Sequence, residues 1–554
     1  MNRRYIALAL SILSFSAAMA QTKPEEKKPE GQKGSLTEEI EVIRPYKPVL
    51  ADAAKIRRSP DLNSYKPFRA NVGYTILDKK LELNSDIRQL QAQPLSQIAV
   101  EPLTNNYVKA GIGNLGSSLG EVYLNTGNDE ALQMGFFVKH LGQSGDLTKQ
   151  KLSRQQIGAF GRSIQDKYTI NGELGFDRLS TYFYGVNALE QPFNSNPEQQ
   201  RFSTFTLKGE LLKNFDQDAA MDYAVKADAY ILANKLDARE RSVALSSFFN
   251  NNWKQFNVGV NASIDITKSQ DSLYAIGNHI LRANPYFKLQ GENYKIALGV
   301  NIVQEFGAKS RTNVLPAISA EVPIVPEYAT IFAGFTGDVL KSSLREFAGD
   351  NPFIARNIPI ENAFEKSNIY GGVRGNAGAG FGFKAMVYFR TIENMPLFVN
   401  SINGMEKFDV IYDPGKNKIA GLEGEISVKA SETLTWTGKL EMKKYDMANE
   451  DEAWLKPSVR LLSNARLALN KRLFIDGELV LNGKTNAFTY NELLERVPVS
   501  VKSYADLSAG AEYQLKNKIG IFLRLNNIFG TEYQQYLYYP RLGLNAIGGL
   551  NYSF

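Results

Sequence analysis

The sequence predicts an all-β protein, a single antiparallel β-barrel of about 22 strands that crosses a membrane. Three observations carry this. From residue 105 onward, segment after segment alternates apolar with polar residues, the two-residue period of a strand with one oily and one wet face. No window after the first twenty residues holds about eighteen consecutive apolar residues, so a bundle of membrane helices is excluded. The chain also carries 44 Gly, 27 Tyr and 31 Phe against only 3 Trp, which suits many strands with aromatic ends and tight turns.

The N-terminus reads as an export signal. Asn2-Arg3-Arg4 supply a positive start, Tyr5 to Ala18 an apolar centre, and Ala18-Met19-Ala20 a small-residue cleavage site before Gln21. Residues 1–20 are therefore expected to be removed on the way to the outer membrane. No Cys follows the cleavage site, which excludes a lipoprotein anchor. With no Cys anywhere in the chain, disulfides, thiolate metal sites and thiol catalysis are excluded as well. Gln21 to Gly34 is a Lys/Glu/Pro run too polar to fold, and Pro45, Pro48, Pro60 and Pro67 keep the next stretch out of helix and central strand. Residues 21–68 are thus expected to be an extended periplasmic arm. Residues 69–104 are mixed: Tyr74 to Leu77 reads as a short strand, and Asp86 to Val100 as a segment able to fold inside the barrel.

Residues 105–554 supply the barrel. Phe205, Leu207 and Leu211 oppose Thr204, Thr206, Lys208 and Glu210 across one strand; Leu422 and Ile426 oppose Glu423, Glu425 and Lys429 on another. Ile475 and Leu479 oppose Asp476 and Glu478, and Ile521 and Leu523 oppose Arg524. Charges at successive wet positions suit a water-filled lumen, and oily faces repeated over so many strands need lipid. Roughly 23 candidate strands can be counted; single-chain barrels have an even number, so 22 is expected. Long polar stretches at 144–155, 187–200, 347–363, 394–406, 449–456 and 485–498 read as extracellular loops. Short ones at 216–218, 290–292 and 516–518 read as periplasmic turns.

The closing segment alternates strictly from Leu542 to Phe554. With Leu550, Tyr552 and Phe554 on its oily face, it resembles the final strand of bacterial outer-membrane barrels, where it is the insertion signal for the barrel-assembly machinery. Just upstream, Asn527, Phe529 and Tyr533, then Tyr539-Pro540-Arg541, stand in the order of the C-terminal element of TonB-dependent receptors, with Tyr-Pro-Arg in place of a Gly-containing turn. Near the mature N-terminus, Glu38-Glu39-Ile40-Glu41-Val42-Ile43 resembles a TonB box, a peptide that would pair with a TonB-type energy transducer by adding a strand to a sheet edge. The resemblance also implies a plug domain, for which residues 44–104 are too few and lack the Gly-rich motifs. The lumen is then expected to be occupied by a reduced plug from residues 21–104, by inward-folded loops or by another protein.

Other motifs have plainer readings. Gly111-Ile112-Gly113-Asn114-Leu115-Gly116 fits the dinucleotide fingerprint, but the alternating stretch Glu121 to Thr126 follows where a helix is required, so a Gly-rich hairpin is expected. His140 and His279 sit in no nucleophile motif, and no enzymatic function or cofactor is expected. Tyr182-Phe183-Tyr184 and Tyr536, Tyr538 and Tyr539 read as a girdle at the membrane–water interface. A net charge of +6 over 554 residues gives no argument for nucleic acid. The function expected is solute uptake across the outer membrane by a receptor-type barrel. The alternatives are a structural or assembly platform for periplasmic or lipoprotein partners, and a passive porin.

Overall fold

A computed structural model describes residues 106–126, 131–185, 196–214, 221–253, 256–291, 293–326, 328–376, 378, 380–430, 433–516 and 518–554. The leader, the arm, the box-like segment 38–43 and residues 69–104 lie outside the described residues.

The alternation becomes one antiparallel sheet of 22 strands that closes on itself. Each strand pairs with its sequence neighbours, and the ring is completed where Tyr107–Gly113 pairs antiparallel with Asn545–Ser553, from Tyr107 opposite Ser553 to Gly113 opposite Ile547. The expected strand number is correct. Closure leaves no unpaired edge, as hydrocarbon demands of any backbone that crosses it.

The oily face points outward. Phe205, Leu207, Leu523, Leu550 and Tyr552 are among the most exposed apolar side chains. Their polar neighbours turn inward, where Glu173 meets Lys208 at 3.2 Å and Glu321 meets Arg374 at 2.9 Å. Exposed hydrophobic side chains all round a closed sheet, with ion pairs inside, are the inverse of a water-soluble barrel and define a lipid-facing wall.

The chain termini of the sheet meet at one rim, where the backbones of Asn106 and Phe554 exchange hydrogen bonds of 3.0 Å. Short connections follow at this rim. The long ones, such as 341–362 and 527–544, all lie at the other, interspersed there with short ones such as 235–238 and 308–310. The Gly-rich stretch is the turn of the first hairpin, with Leu115 at φ 51° and Gly116 at φ 56° between Tyr107–Gly113 and Ser118–Asn125. Two glycines are needed at the seam itself. A Cβ on Gly113 would stand 2.0 Å from the Ala546 carbonyl oxygen, and one on Gly549 would stand 2.0 Å from that of Ala110.

Three expected loops turn out to be strand. Lys151 to Gln155 belongs to the strand Lys151–Ile164. The polar stretch 394–406 is the far end of a very long hairpin, Phe381–Ser401 with Gly404–Ala430, which rises well past its neighbours. Thr485–Tyr490 and Arg496–Val501 form a separate two-stranded sheet at the long-loop rim. Polarity identified these stretches as outside the membrane but could not distinguish a protruding hairpin from a loop.

The wall assignment is testable by a depth-matched pair of substitutions. Leu523→Arg places a charge in lipid and is expected to cost about 2–4 kcal/mol of refolding stability near mid-membrane. Leu523→Val should cost about 1 kcal/mol or less. Urea titration of tryptophan fluorescence in phospholipid vesicles measures both.

Candidate functional site

The region that bears on function is the long-loop rim, where connections leave the wall and fold over the lumen. Residues 341–362, between the thirteenth and fourteenth strands, form the main part. Ser343 opens a short helix, Leu344–Asp350, and its hydroxyl accepts from the Glu346 N–H at 3.1 Å, a standard N-terminal cap. Asn351 ends the helix, and its side chain accepts from Phe353 N–H at 2.9 Å, turning the chain downward.

This segment is fastened to the wall by buried polar groups. Glu240, at the rim end of Arg239–Trp253, is wholly buried. Its carboxylate accepts from Tyr230 Oη (2.8 Å), Ser269 Oγ (2.6 Å) and the backbone N–H groups of Leu344 (2.8 Å) and Arg345 (3.0 Å). A buried carboxylate is tolerable only when its lone pairs are satisfied, and here four donors converge on it. Lys341 reaches Asp265 and Thr267 on the next strand. Asn278 and Asn362 exchange amide hydrogen bonds of 2.7 and 2.8 Å, and Glu305 holds both Asn362 (2.9 Å) and Arg311 (2.7 Å).

On its other side the segment ends in an aromatic hub. Phe353 stacks on Tyr539 with ring centroids 3.6 Å apart, and Tyr184 meets both edge-on at 5.8 and 5.0 Å. Tyr536 and Phe408 complete the group, Phe408 lying 6.0 Å from Tyr539. The chain on either side of Phe408 is sewn to the segment by Ala355 N–H to Phe408 O (2.8 Å) and Phe408 N–H to Phe353 O (2.9 Å). Burial pushes the Tyr539 hydroxyl well above its usual pKa, so it stays protonated and donates to the Glu406 carbonyl.

The hub corrects the girdle reading. Phe183, Tyr539 and Phe353 are buried against one another and against Phe202 and Leu232 of the wall, not spread around the membrane interface. Aromatic spacing in sequence could not reveal this, because the partners are 169 to 355 residues apart along the chain. The geometry matters because of where the loops originate. Tyr184 follows the fifth strand, Phe353 follows the thirteenth and Tyr539 follows the twenty-first, so eight strands of the 22 separate Phe353 from each of the other two and six separate Tyr539 from Tyr184 across the seam. Loops rooted that far apart meet only by spanning the mouth along a chord close to its diameter.

The residues of the C-terminal motif fall at the same rim. Asn527, at φ 49°, donates through its side-chain amide to the carbonyls of Thr531 and Leu542, both at 2.9 Å, and so fixes the base of the loop 527–544. Tyr533 donates to Asp506 at 2.5 Å and stacks on Tyr504 at 3.9 Å. Arg541 N–H bonds the Tyr533 carbonyl at 2.8 Å, whereas Phe529 is exposed. Pro540 offers its carbonyl to Gln150 at 2.9 Å. Leu550, Tyr552 and Phe554 lie on the lipid face of the closing strand, with Tyr552 and Phe554 stacked at 5.3 Å.

Of the two histidines, His140 Nε2 lies 3.2 Å from Ser118 Oγ, a cross-strand neighbour, and His279 Nδ1 accepts from the Thr267 N–H. Among the described residues no cluster of His, Asp and Glu is arranged to hold a metal ion. Beside the spanning segment is a cleft of about 480 Å³ lined by Tyr274, Phe306, Lys309, Arg311, Glu361 and Asn394. Its charges are paired within the protein: Lys309 with Glu361 at 2.7 Å, and Arg311 with Glu305.

No protein-family model matches the chain, and no curated protein matches it in sequence. Solved structures do. The ferripyoverdine receptor of the outer membrane of Pseudomonas aeruginosa superposes with a TM-score of 0.61 at 13% identity, over 82% of this chain and 72% of that one. The FrpB iron transporter of Neisseria meningitidis gives 0.62 at 12%, over 81% of each. The ferric-catecholate import receptor Fiu of E. coli K12 gives 0.60 at 10%, over 81% and 82%. The chain therefore has the outer-membrane barrel fold of TonB-dependent receptors. These neighbours are import proteins, not enzymes.

Two outcomes follow from the fastening. Glu240→Ala orphans four donors, and hydrogen bonds to a charged group are worth about 1.5–3 kcal/mol each. Losing even about 3 kcal/mol raises the released form of 341–362 roughly a hundredfold, read as trypsin cleavage at Arg345 and Arg356 in vesicle-inserted protein. Second, the Lys309 ammonium holds the Glu361 carboxyl below its usual range, against partial burial. A depressed folded value contributes stability above the ordinary Glu pKa of about 4.3 and loses it as pH falls through the folded value. Lys309→Gln should therefore loosen 341–362 at pH 7, where that contribution is fully present, and make no difference once pH falls below the folded Glu361 value, read as faster trypsin cleavage at pH 7 with peptic cleavage in acid unchanged.

Proposed function

We propose that this protein takes part in solute uptake across the outer membrane as a receptor-type barrel whose mouth is held by its own loops. The observation that carries the reading is the hub of Phe353, Tyr539 and Tyr184, which joins loops rooted in three parts of the ring. A passive porin needs a standing aqueous path. A chord of packed aromatics and buried hydrogen bonds across the mouth instead favours admission of a bound solute after the loops part. In this reading Glu38 to Ile43 engages a TonB-type energy transducer, and residues 21–104 occupy part of the lumen from the periplasmic side. Both assignments rest on sequence resemblance.

The test is planar-bilayer recording of the purified full-length mature chain. The wild type should show little steady current, with brief openings. Phe353→Ala with Tyr539→Ala removes the stacked pair, and truncating a packed aromatic costs about 3–5 kcal/mol, so long-lived openings should become frequent. A wide, steady, ohmic current in the wild type would sink the proposal and favour the porin. Deleting 38–43 should leave these currents unchanged and abolish energised accumulation in cells.

A further inference from the structure

On the outward face of the barrel, six cations stand together between the oily band and the long-loop rim. They belong to five neighbouring strands, Tyr168–Tyr182, Gln199–Lys213, Met221–Asn234, Arg239–Trp253 and Phe256–Gln270. The outward side of each is fixed by its exposed apolar residues, of which Phe176, Phe205, Ile231, Val243 and Ile266 lie nearest the rim. Two residues further toward the rim the same face presents Arg178, Arg241 and Lys268 on three of these strands. On the other two a small residue, Ser203 or Ala233, comes first, followed by Arg201 and Lys235. Arg239 follows Arg241 on the same side. The cations therefore begin one or two pleat repeats, about 7–13 Å of strand, beyond the last apolar side chain.

Register sets them side by side. Arg241 stands directly opposite Lys268. Arg201 is opposite Ser180 and so diagonal to Arg178, and Arg239 is opposite Ala233 and diagonal to Lys235, separations of about 7–8 Å. Lys235 continues the ladder past its strand, its backbone N–H donating to the Arg201 carbonyl at 2.9 Å. Its Nζ donates to Gln199 Oε1 at 2.9 Å, and Gln199 Nε2 donates to Ser180 Oγ at 2.9 Å, which joins three strands on this outer surface. Like charges directly opposite one another destabilise a sheet unless something neutralises them. Among the described residues none of the six makes an ion pair, and exposed Asp237, in the turn between Lys235 and Arg239, pairs with neither. Across the ring the arrangement differs: Lys418 stands opposite Asp446, and Lys416 opposite Glu393. With lipid tails on one side and the rim on the other, the six lie at headgroup depth. Their long stems can carry the charges into that layer, where anionic headgroups attract them. Guanidinium forks match pairs of phosphate oxygens. Six cations over four strand spacings, about 19 Å, exceed what one phosphate can neutralise.

We infer that Arg178, Arg201, Lys235, Arg239, Arg241 and Lys268 form an external site for an outer-leaflet lipid bearing more than one phosphate, a phosphorylated glycolipid. The site lies outside the lumen and does not depend on the uptake reading. Thermophoresis of the labelled, detergent-solubilised full-length mature chain tests it, with bisphosphorylated lipid A as the probe and the same lipid stripped of its phosphates as the control. Saturable binding of the phosphorylated lipid is expected, at least tenfold weaker in Arg178→Gln/Arg201→Gln/Arg241→Gln/Lys268→Gln. Raising salt should shrink that difference. Lys416→Gln/Lys418→Gln, which removes as many charges per strand pair elsewhere on the outer face, should bind as the wild type does. Heat-modifiable migration on gels checks that each variant still forms the barrel, and the pairs Arg178/Arg201 and Arg241/Lys268 are replaced separately if the fourfold variant does not. Equal binding by the fourfold variant, an equal loss in the Lys416/Lys418 variant, or equally tight binding of the stripped lipid overturns the assignment. Displacement of the lipid by an equal concentration of inorganic phosphate would also overturn it, giving the patch to a free anion.

Discussion

Everything in this structure depends on one constraint: a backbone that crosses hydrocarbon must satisfy its own hydrogen bonds. Alternating strands alone do not meet it, because an open sheet has two unpaired edges. The constraint is met only where Tyr107–Gly113 finds Asn545–Ser553, strands at opposite ends of the described chain. That seam also leaves no room for added side-chain volume, as the close approach of Gly113 to Ala546 and Gly549 to Ala110 shows. Two of the glycines that resemble a nucleotide-binding loop in sequence, Gly111 and Gly113, therefore serve closure, letting the first and last strands lie side by side, while Gly116 makes the turn.

Closing a ring of 22 strands solves the lipid problem and creates another. A ring this large encloses a lumen too wide for wall side chains to fill, so it must be occupied or left as water. The long-loop rim answers with its own chain. Residues 341–362 are attached at one side by buried carboxylates and amides and at the other by stacked rings. The number of strands, the inward polar face and the loops that fold over it are thus successive consequences of the same closure.

The parts of this protein legible in sequence are those set by local periodicity. Alternation at Phe205 and Leu207, or at Ile521 and Leu523, fixes which side chains meet lipid, and the count of alternating segments, made even as a single-chain barrel requires, leads to the strand number. The candidate site was legible only in fragments. Asn527, Tyr533 and Arg541 stood out as a C-terminal motif, yet nothing local indicated that Tyr533 would stack on Tyr504 or that Arg541 would reach Gln535. Glu240 gave no signal at all: a Glu near the start of an amphipathic strand reads as another wet position until the segment 104 residues away that it holds is in place. Tyr184 and Tyr539 misled for a related reason, since a strand-end aromatic has the same local pattern whether it lies at the lipid interface or packs under a loop. Contacts of that range are decided by topology.

The two attachments of the spanning segment differ in kind, and the difference decides where it can part. At Glu240, release takes the Leu344 and Arg345 N–H donors from a buried carboxylate that keeps only Tyr230 and Ser269, which is costly because the charge would have to be rehydrated in a confined space. At the hub, release separates rings whose specific pair energies are about 0.5–1.5 kcal/mol each beyond the area they bury. An aromatic solute can take the place of a ring, whereas only a hydrogen-bond donor can take the place of the amides at Glu240. The weaker joint is therefore the aromatic one. Parting there opens the side of the segment that yields, while the carboxylate side keeps the loop attached to the barrel.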